Sequence, residues 1–199
     1  MVPSEDKCWG ILSGLGVTDV CKRCGVSYDH REEHYIVKSL GIEFSISPKL
    51  RKISPLTEHG RVITERFSDF YTLSSLFYLN EARDISESGI IVSPLQIKGG
   101  DIFFRGGHVL PLNKLAMKYD GKKDDFLKKG FAMGGEISTY GDVSFKIYPF
   151  PRLPVILILW HSDDEFPARA DLLLDSTCEF HLPVDVIWYV CMLCTLMMF

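Results

Sequence analysis

The sequence predicts an α+β fold: one domain over residues 1–199, in which a mainly antiparallel sheet packs with helices and the chain closes on an apolar helix. Three observations carry this expectation. Two extended segments flank Gly41, YIVKSL from Tyr35 and IEFSIS from Ile42, and in the second Ile42, Phe44 and Ile46 alternate with polar residues, which reads as a hairpin. The segment 67–84, FSDFYTLSSLFYLNEARD, spaces its apolar residues at a helical period. Further along, VILILW and ARADLLLD are extended apolar runs separated by the polar HSDDEFP, which reads as two antiparallel strands joined at an acidic tip.

Taken in order, residues 4–24 read as a helical start, with Trp9, Leu12 and Leu15 three apart and Gly10, Gly14 and Gly16 interrupting. The hairpin about Gly41 follows. The central helix puts Phe70, Leu73, Leu76 and Phe77 on one face, and Ser68 or Asp69 supplies its N-cap. Gly99-Gly100 and Gly106-Gly107 bracket DIFFR, which reads as a strand or short ribbon between tight turns. Short helices are expected around 111–119 and 123–131. DVSFKIYPF alternates like a strand, and Pro149, Pro151 and Pro154 then predict an exposed bend. VILILW is uninterrupted and apolar, as in a strand covered on both faces. In LPVDVIWYVCMLCTLMMF, Pro183 fits the first turn of a helix and Asp185 favours its positive N-terminal end.

Composition narrows the class. A chain of 199 residues is long enough to bury about 70% of its unfolded surface without staples. Hydrophobic residues at 46% and charged residues at 24% indicate neither disorder nor a membrane class. A net charge of −4 argues against a nucleic-acid partner, because phosphate binding needs a local excess of Lys and Arg. The basic cluster Lys122, Lys123, Lys128 and Lys129 is interrupted by Asp124 and Asp125 and reads as a solvated helix face. The start MVPSEDKCWG lacks the basic and apolar regions of a secretory signal, so a cytoplasmic location is expected. There, six cysteines read as reduced thiols, metal ligands or redox groups before structural disulfides.

Between Tyr148 and Pro183 the sequence runs PFPRLPVILILWHSDDEFPARADLLLDSTCEFHLP. A proline-flanked strand leads to Trp160, an acidic loop carries Asp164, Glu165, Phe166 and Pro167, a second strand ends at Asp175, and Leu182-Pro183 follow. This pattern resembles the signature of a prokaryotic domain-of-unknown-function family, DUF 3786, of anaerobic bacteria and archaea. GVSYD at 25–29, LGIEFSIS at 40–47, LSSLFYL at 73–79 and the glycines and Asp of 134–142 fit its weaker marks, so the resemblance covers most of the chain. It departs at Phe77, where family members usually place His before Tyr-Leu, and no role for that His carries over. Some members are joined to a four-cysteine iron–sulfur segment of the type seen beside corrinoid proteins, which this sequence lacks. The resemblance implies an accessory role in anaerobic metal, corrinoid or iron–sulfur metabolism.

Three constellations could carry chemistry. Asp163, Asp164 and Glu165 at the hairpin tip, with His161 before them and Asp171 or Asp175 nearby, are carboxylates whose mutual repulsion a divalent cation or a cationic partner would relieve. The plainer alternative is a solvated turn that keeps a strand edge from aggregating. Cys21 and Cys24, and Cys191 and Cys194, are spaced for two thiolates to reach one metal, and together they would make a four-sulfur site. Against this, Cys24 falls where family members carry Thr, and the second pair lies in an apolar helix where thiols act as small hydrophobes. His30 and His34 follow the first pair at too short a distance for a zinc finger, and HREEH lacks the Glu that a zinc-protease helix places after its first His. The third is the C-terminal helix. Val186 to Phe199 carries no charge and would extend about 21 Å, short of the ~20 residues that span a bilayer. Either the domain wraps it or one face meets a protein partner or a second copy, with membrane contact the less favoured outcome.

GxGxxG, GxxxxGK[ST] and GxSxG are all missing, which removes the usual support for nucleotide binding and α/β-hydrolase chemistry. The expected function is that of a non-enzymatic accessory or assembly subunit. Its contact residues would be Trp160 and Phe166 on the hairpin and Trp188 and Met192 on the last helix. The competing expectation is an enzyme or metal carrier that binds a cation at Asp163, Asp164 and Glu165.

Overall fold

The computed structural model describes residues 4–199. Two helices open the chain, α1 (Glu5–Gly14) and α2 (Val17–Cys24), where the sequence suggested one start. Leu15 adopts extended backbone and Gly16 caps the second helix, so the glycines divide the segment. Four antiparallel strands follow in chain order as one sheet: β1 (Ser27–Asp29), β2 (His34–Ser39), β3 (Ile42–Ser47) and β4 (Lys52–Pro55). Ser39 faces Ile42 across the expected hairpin, and both turn residues, Leu40 and Gly41, have positive φ. That is the requirement of a two-residue turn matching the twist of its strands.

Helix α3 (Arg61–Arg66) runs almost directly into α4 (Ser68–Glu81). Here the sequence reading needs correcting. Neither Ser68 nor Asp69 caps α4, because Phe67 N–H donates to the Ile63 carbonyl while the Phe67 carbonyl accepts from Phe70 and Tyr71. The helix is also not one-faced. Tyr71, Ser74, Ser75 and Leu76–Leu79 are buried, whereas Phe70 and Leu73 are half-buried, since α4 lies at the centre of the helical layer. Ser74 and Ser75 tolerate burial by donating their hydroxyls to the Phe70 and Tyr71 carbonyls.

The second sheet is antiparallel and gathers strands from across the chain in the order β5 (Ile91–Val92), β9 (Arg169–Asp175), β8 (Leu153–Trp160), β7 (Val143–Phe150) and β6 (Glu136–Ser138). Between β5 and β6 lie α5 (Gly100–Phe103), α6 (Leu112–Tyr119) and α7 (Lys123–Ala132). The first of these corrects the expected strand at 101–105. Gly99 turns the chain with positive φ, and Phe103 and Phe104 donate to the Gly99 and Gly100 carbonyls in helical spacing. Helices α6 and α7 match expectation and pack on this sheet, with Gly130 against the Phe145 ring. The proline bend is also corrected. Pro149 and Pro154 are buried, and β7 turns into β8 through Pro151 and Arg152 with a bulge between Ile147 and Phe150.

The sheets meet where Leu40 N–H donates to the Tyr148 carbonyl at 2.8 Å. Beside that bond, the Gly41 and Gly134 backbones approach so closely that a Cβ on either would lie 2.9 Å or 2.7 Å from the other's main chain. After β9, the short α8 (Cys178–His181) leads to α9 (Val184–Leu196), with Pro183 as its N-cap. The domain wraps this helix: Val186, Ile187, Val190, Cys191, Leu193, Cys194 and Thr195 are buried. Among the described residues no helix is long and apolar enough to cross a membrane.

Candidate functional site

Strands β8 and β9 pair as far as Trp160 and Arg169, and the acidic segment links them. The Arg169 guanidinium lies 4.0 Å from the Trp160 ring centre, a cation–π contact that closes the strand ends. Beyond it the chain is pinned from two sides. Asp142, in the turn before β7, accepts from His161 N–H at 2.8 Å. Asp120, after α6, accepts from Ser162 N–H at 3.0 Å and from its hydroxyl at 2.7 Å. Gly121 N–H donates to His161 Nδ1 at 3.0 Å, which leaves the proton of a neutral ring on Nε2.

The tip closes on itself. Asp163 Oδ1 accepts from Glu165 and Phe166 N–H at 2.8 and 2.7 Å, and Asp163 N–H donates to the Phe166 carbonyl. These amides hold the Asp163 carboxyl below the usual range, Glu165 having the larger effect. Asp120 is held down too, first by the Ser162 hydroxyl and then by its amide. Both acids are therefore carboxylates at neutral pH. Asp164 and Glu165 stand exposed at the tip, with Phe166 beside them at 66% exposure.

A cleft of about 600 Å³ lies against the base of this loop, bounded by Asn113, Asp142, Trp160, His161, Asp163 and Phe166. At Asn113 and Arg169 it continues into a second cleft of about 430 Å³ along β9. Arg169 lines the same cleft with its guanidinium on the Trp160 ring, which leaves the Asp142 and Asp163 carboxylates and the Phe166 ring to meet a ligand that is cationic and partly apolar. Trp160, His161, Asp163 and Phe166 are thus brought together, while Asp164 and Glu165 crown the loop outside the cleft. Asp171 lines the second cleft, 3.5 Å from Arg169.

Asp175 belongs elsewhere. It is buried and accepts from Ser88 N–H and hydroxyl, Gly89 N–H, and Thr177 N–H and hydroxyl, which ties the segment before β5 to the end of β9. Burial alone would raise its pKa, but these donors outweigh burial and hold it at about 2.

All six cysteines are reduced thiols. Cys21 is half-buried, and the buried Cys24 Sγ contacts the Tyr78 carbonyl at 3.4 Å. Burial pushes the Cys24 thiol up to about 12 and raises Cys191 and Cys194 as well. Among the described residues no three of His, Cys, Asp and Glu are grouped to hold a metal ion, so the two CxxC pairs do not converge. His34 begins β2 and His30 lies in the turn before it. Trp188 Nε1–H donates to the His108 carbonyl at 2.7 Å, and its ring meets those of Phe70, Phe103 and Tyr189. Met192 is half-buried on the same helix.

The anchoring residues Asp120, Gly121 and Arg169 and the cleft-lining Asn113 are not singled out by the sequence, and Asp142 enters only among the weaker marks of the resemblance. For Asp120, Gly121 and Asp142 the one local signal is the pair of turn dipeptides, Asp120-Gly121 and Gly141-Asp142.

In comparisons with known proteins, a family model described as a domain of unknown function (DUF3786) matches residues 17–197. No curated protein and no solved structure matches.

Proposed function

The chain belongs to the DUF3786 family, a domain of unknown function, and on that premise we propose that it is a non-enzymatic accessory or assembly subunit working through protein contacts at the acidic hairpin. The observation that carries this reading is Phe166. An apolar ring is held in solvent beside Asp164 and Glu165, on a loop fixed at its base by Asp120, Gly121 and Asp142. A solvated turn has no need of an exposed phenyl group, whereas interfaces are built around aromatic anchors rimmed by charge. The lowered pKa values of Asp120 and Asp163 keep both as carboxylates that a cationic partner group can meet, and leave neither suited to act as a general acid. The anaerobic metalloenzyme setting is the one that the resemblance implies. The half-buried Trp188 and Met192 of α9 form a secondary surface in this proposal.

A pull-down from native cells, comparing the wild-type chain with an Asp164→Ala/Glu165→Ala/Phe166→Ala variant, tests the proposal. It is supported by a partner retained by the first and lost by the second at unchanged thermal stability. An identical set of retained proteins counts against it. Stoichiometric metal in anaerobically purified protein that disappears in Asp164→Ala/Glu165→Ala would favour the metal-carrier reading instead.

A further inference from the structure

We propose that the groove between α6 and α7 is a binding site for a small diphosphate, held by Lys118, Lys122, Lys128 and Lys129. This goes beyond the hairpin-contact reading and does not rest on it. The groove measures about 370 Å³ and shares no lining residue with the hairpin cleft. That volume lies toward the small end for small-molecule sites, which run from about 300 to 1,000 Å³.

Two elements direct lysines at one space. On α7, Asp125, Lys128, Lys129 and Ala132 line the groove, the spacing of a single helix face. Opposite them are Lys118 and Tyr119 from the last turn of α6 and Lys122 from the turn between the helices. The turn is fixed, because Lys122 N–H donates to the Tyr119 carbonyl at 2.8 Å and the Lys122 carbonyl accepts from Phe126 N–H. Lys118 is held at its far end. Its ammonium donates to the Met198 and Phe199 carbonyls at 2.8 and 3.1 Å, and the Tyr119 hydroxyl donates to the same Met198 carbonyl at 2.6 Å.

The acids nearby do not neutralise these lysines. Among the described residues, no ion pair includes any of the four. Asp120 accepts from Ser162 on the hairpin side, and Asp124 lies outside the lining. Asp125 alone faces the groove. Lys118 registers the crowding: burial first, then the charges of Lys129 and Lys122, lower its pKa. A solvated lysine face spreads its charges outward along one helix, whereas these are gathered across a groove in a chain of net charge −4. Folding gains nothing from that repulsion, and a bound anion relieves it.

Charge then selects the ligand. Four lysines and one carboxylate leave three positive charges around the groove. A phosphoryl group carries about −1.5 to −2 at neutral pH, so one leaves positive charge over and two together match it. Lysine binds phosphate as a point charge, which suits a free or an esterified diphosphate alike.

Titration calorimetry and amide chemical shifts on the full chain test the proposal, with inorganic pyrophosphate, methyl diphosphate and inorganic phosphate as probes. A diphosphate should bind once per chain and at least about tenfold more tightly than inorganic phosphate, with shifts concentrated at residues 118–132. The tighter of the two diphosphates tells whether the ligand is the free anion or an ester. Lys128→Gln/Lys129→Gln should weaken binding by about tenfold or more. Asp125→Asn should strengthen it, a gain that no loss of folding can imitate. Lys114→Gln, at an exposed α6 position outside the groove, should leave it unchanged. Absence of binding at millimolar pyrophosphate, or equal weakening by Lys114→Gln, overturns the proposal. So does a dimer of the chain that Lys128→Gln/Lys129→Gln dissociates, since an acidic surface of a second copy would then occupy the groove.

Discussion

Ser162 donates its backbone N–H and its hydroxyl to opposite oxygens of the Asp120 carboxylate, at 3.0 and 2.7 Å, across 42 positions of sequence. This pair makes the acidic hairpin a fixed projection. Asp120→Ala should speed amide exchange at Ser162 and its neighbours and weaken partner binding, while the unfolding midpoint changes little because the site is on the surface. The sign with pH follows from the lowered pKa of Asp120, set first by the Ser162 hydroxyl. Anchoring is complete above the ordinary carboxylate pKa and is lost as pH falls through the folded value. Exchange that is unaltered in the variant would contradict this.

Asp175 should behave as a buried keystone. Asp175→Ala leaves five donors from Ser88, Gly89 and Thr177 without their acceptor, at a cost of about 3 kcal/mol. Its fall from an ordinary 3.8 to about 2 corresponds to about 2 kcal/mol. That stability is present above pH 3.8 and is lost as pH falls toward 2. Denaturant unfolding of wild type and variant between neutral pH and pH 2 checks both the size and the direction.

Thiol labelling separates the cysteines. In native protein at mildly alkaline pH, Cys21 should be the one that reacts, slowly, because burial raises its pKa. The other five are buried and should react only on unfolding. Cys21→Ser should remove the native phase. Two or more rapid thiols, or labelling that requires a chelator first, would revive a metal at Cys21 and Cys24.

Gly41→Ala should destabilise by about 2 kcal/mol or more, because the residue has positive φ and its new Cβ would lie 2.9 Å from Gly134 N. Gly89→Ala provides the comparison: φ is also positive, but no atom lies within 4 Å of the added carbon, so its loss should be smaller. Equal losses would show that steric contact between the two turns contributes nothing.

These cases also show what was legible beforehand. Strands β3 and β8 announce themselves through alternation or an unbroken apolar run, and α6 and α7 fall where short helices are expected. The short DIFFR segment is ambiguous because three apolar residues between glycine pairs suit either period, and the turn at Gly99 sets it as helix. Capping of α4 was misread because α3 precedes it with only Phe67 between them. Trp160, Asp163 and Phe166 could be placed on the hairpin from local order. Asp120 could not, since its partner lies 42 residues away. Gly41 is legible as the hairpin turn and Gly134 only as a family mark, and their mutual contact supplies a further physical reason for glycine at both.

The central claim is that the hairpin tip is a protein-contact surface. Its most direct measurement is site-specific photocrosslinking in native cells, with a photoreactive phenylalanine analogue at Phe166 and the same analogue at Leu50, an exposed control at 70% on the turn after β3. The expected result is a discrete crosslinked protein from position 166 that is absent from position 50 and is lost with Asp120→Ala. Identical patterns from the two positions, or no crosslink at 166, would contradict the account.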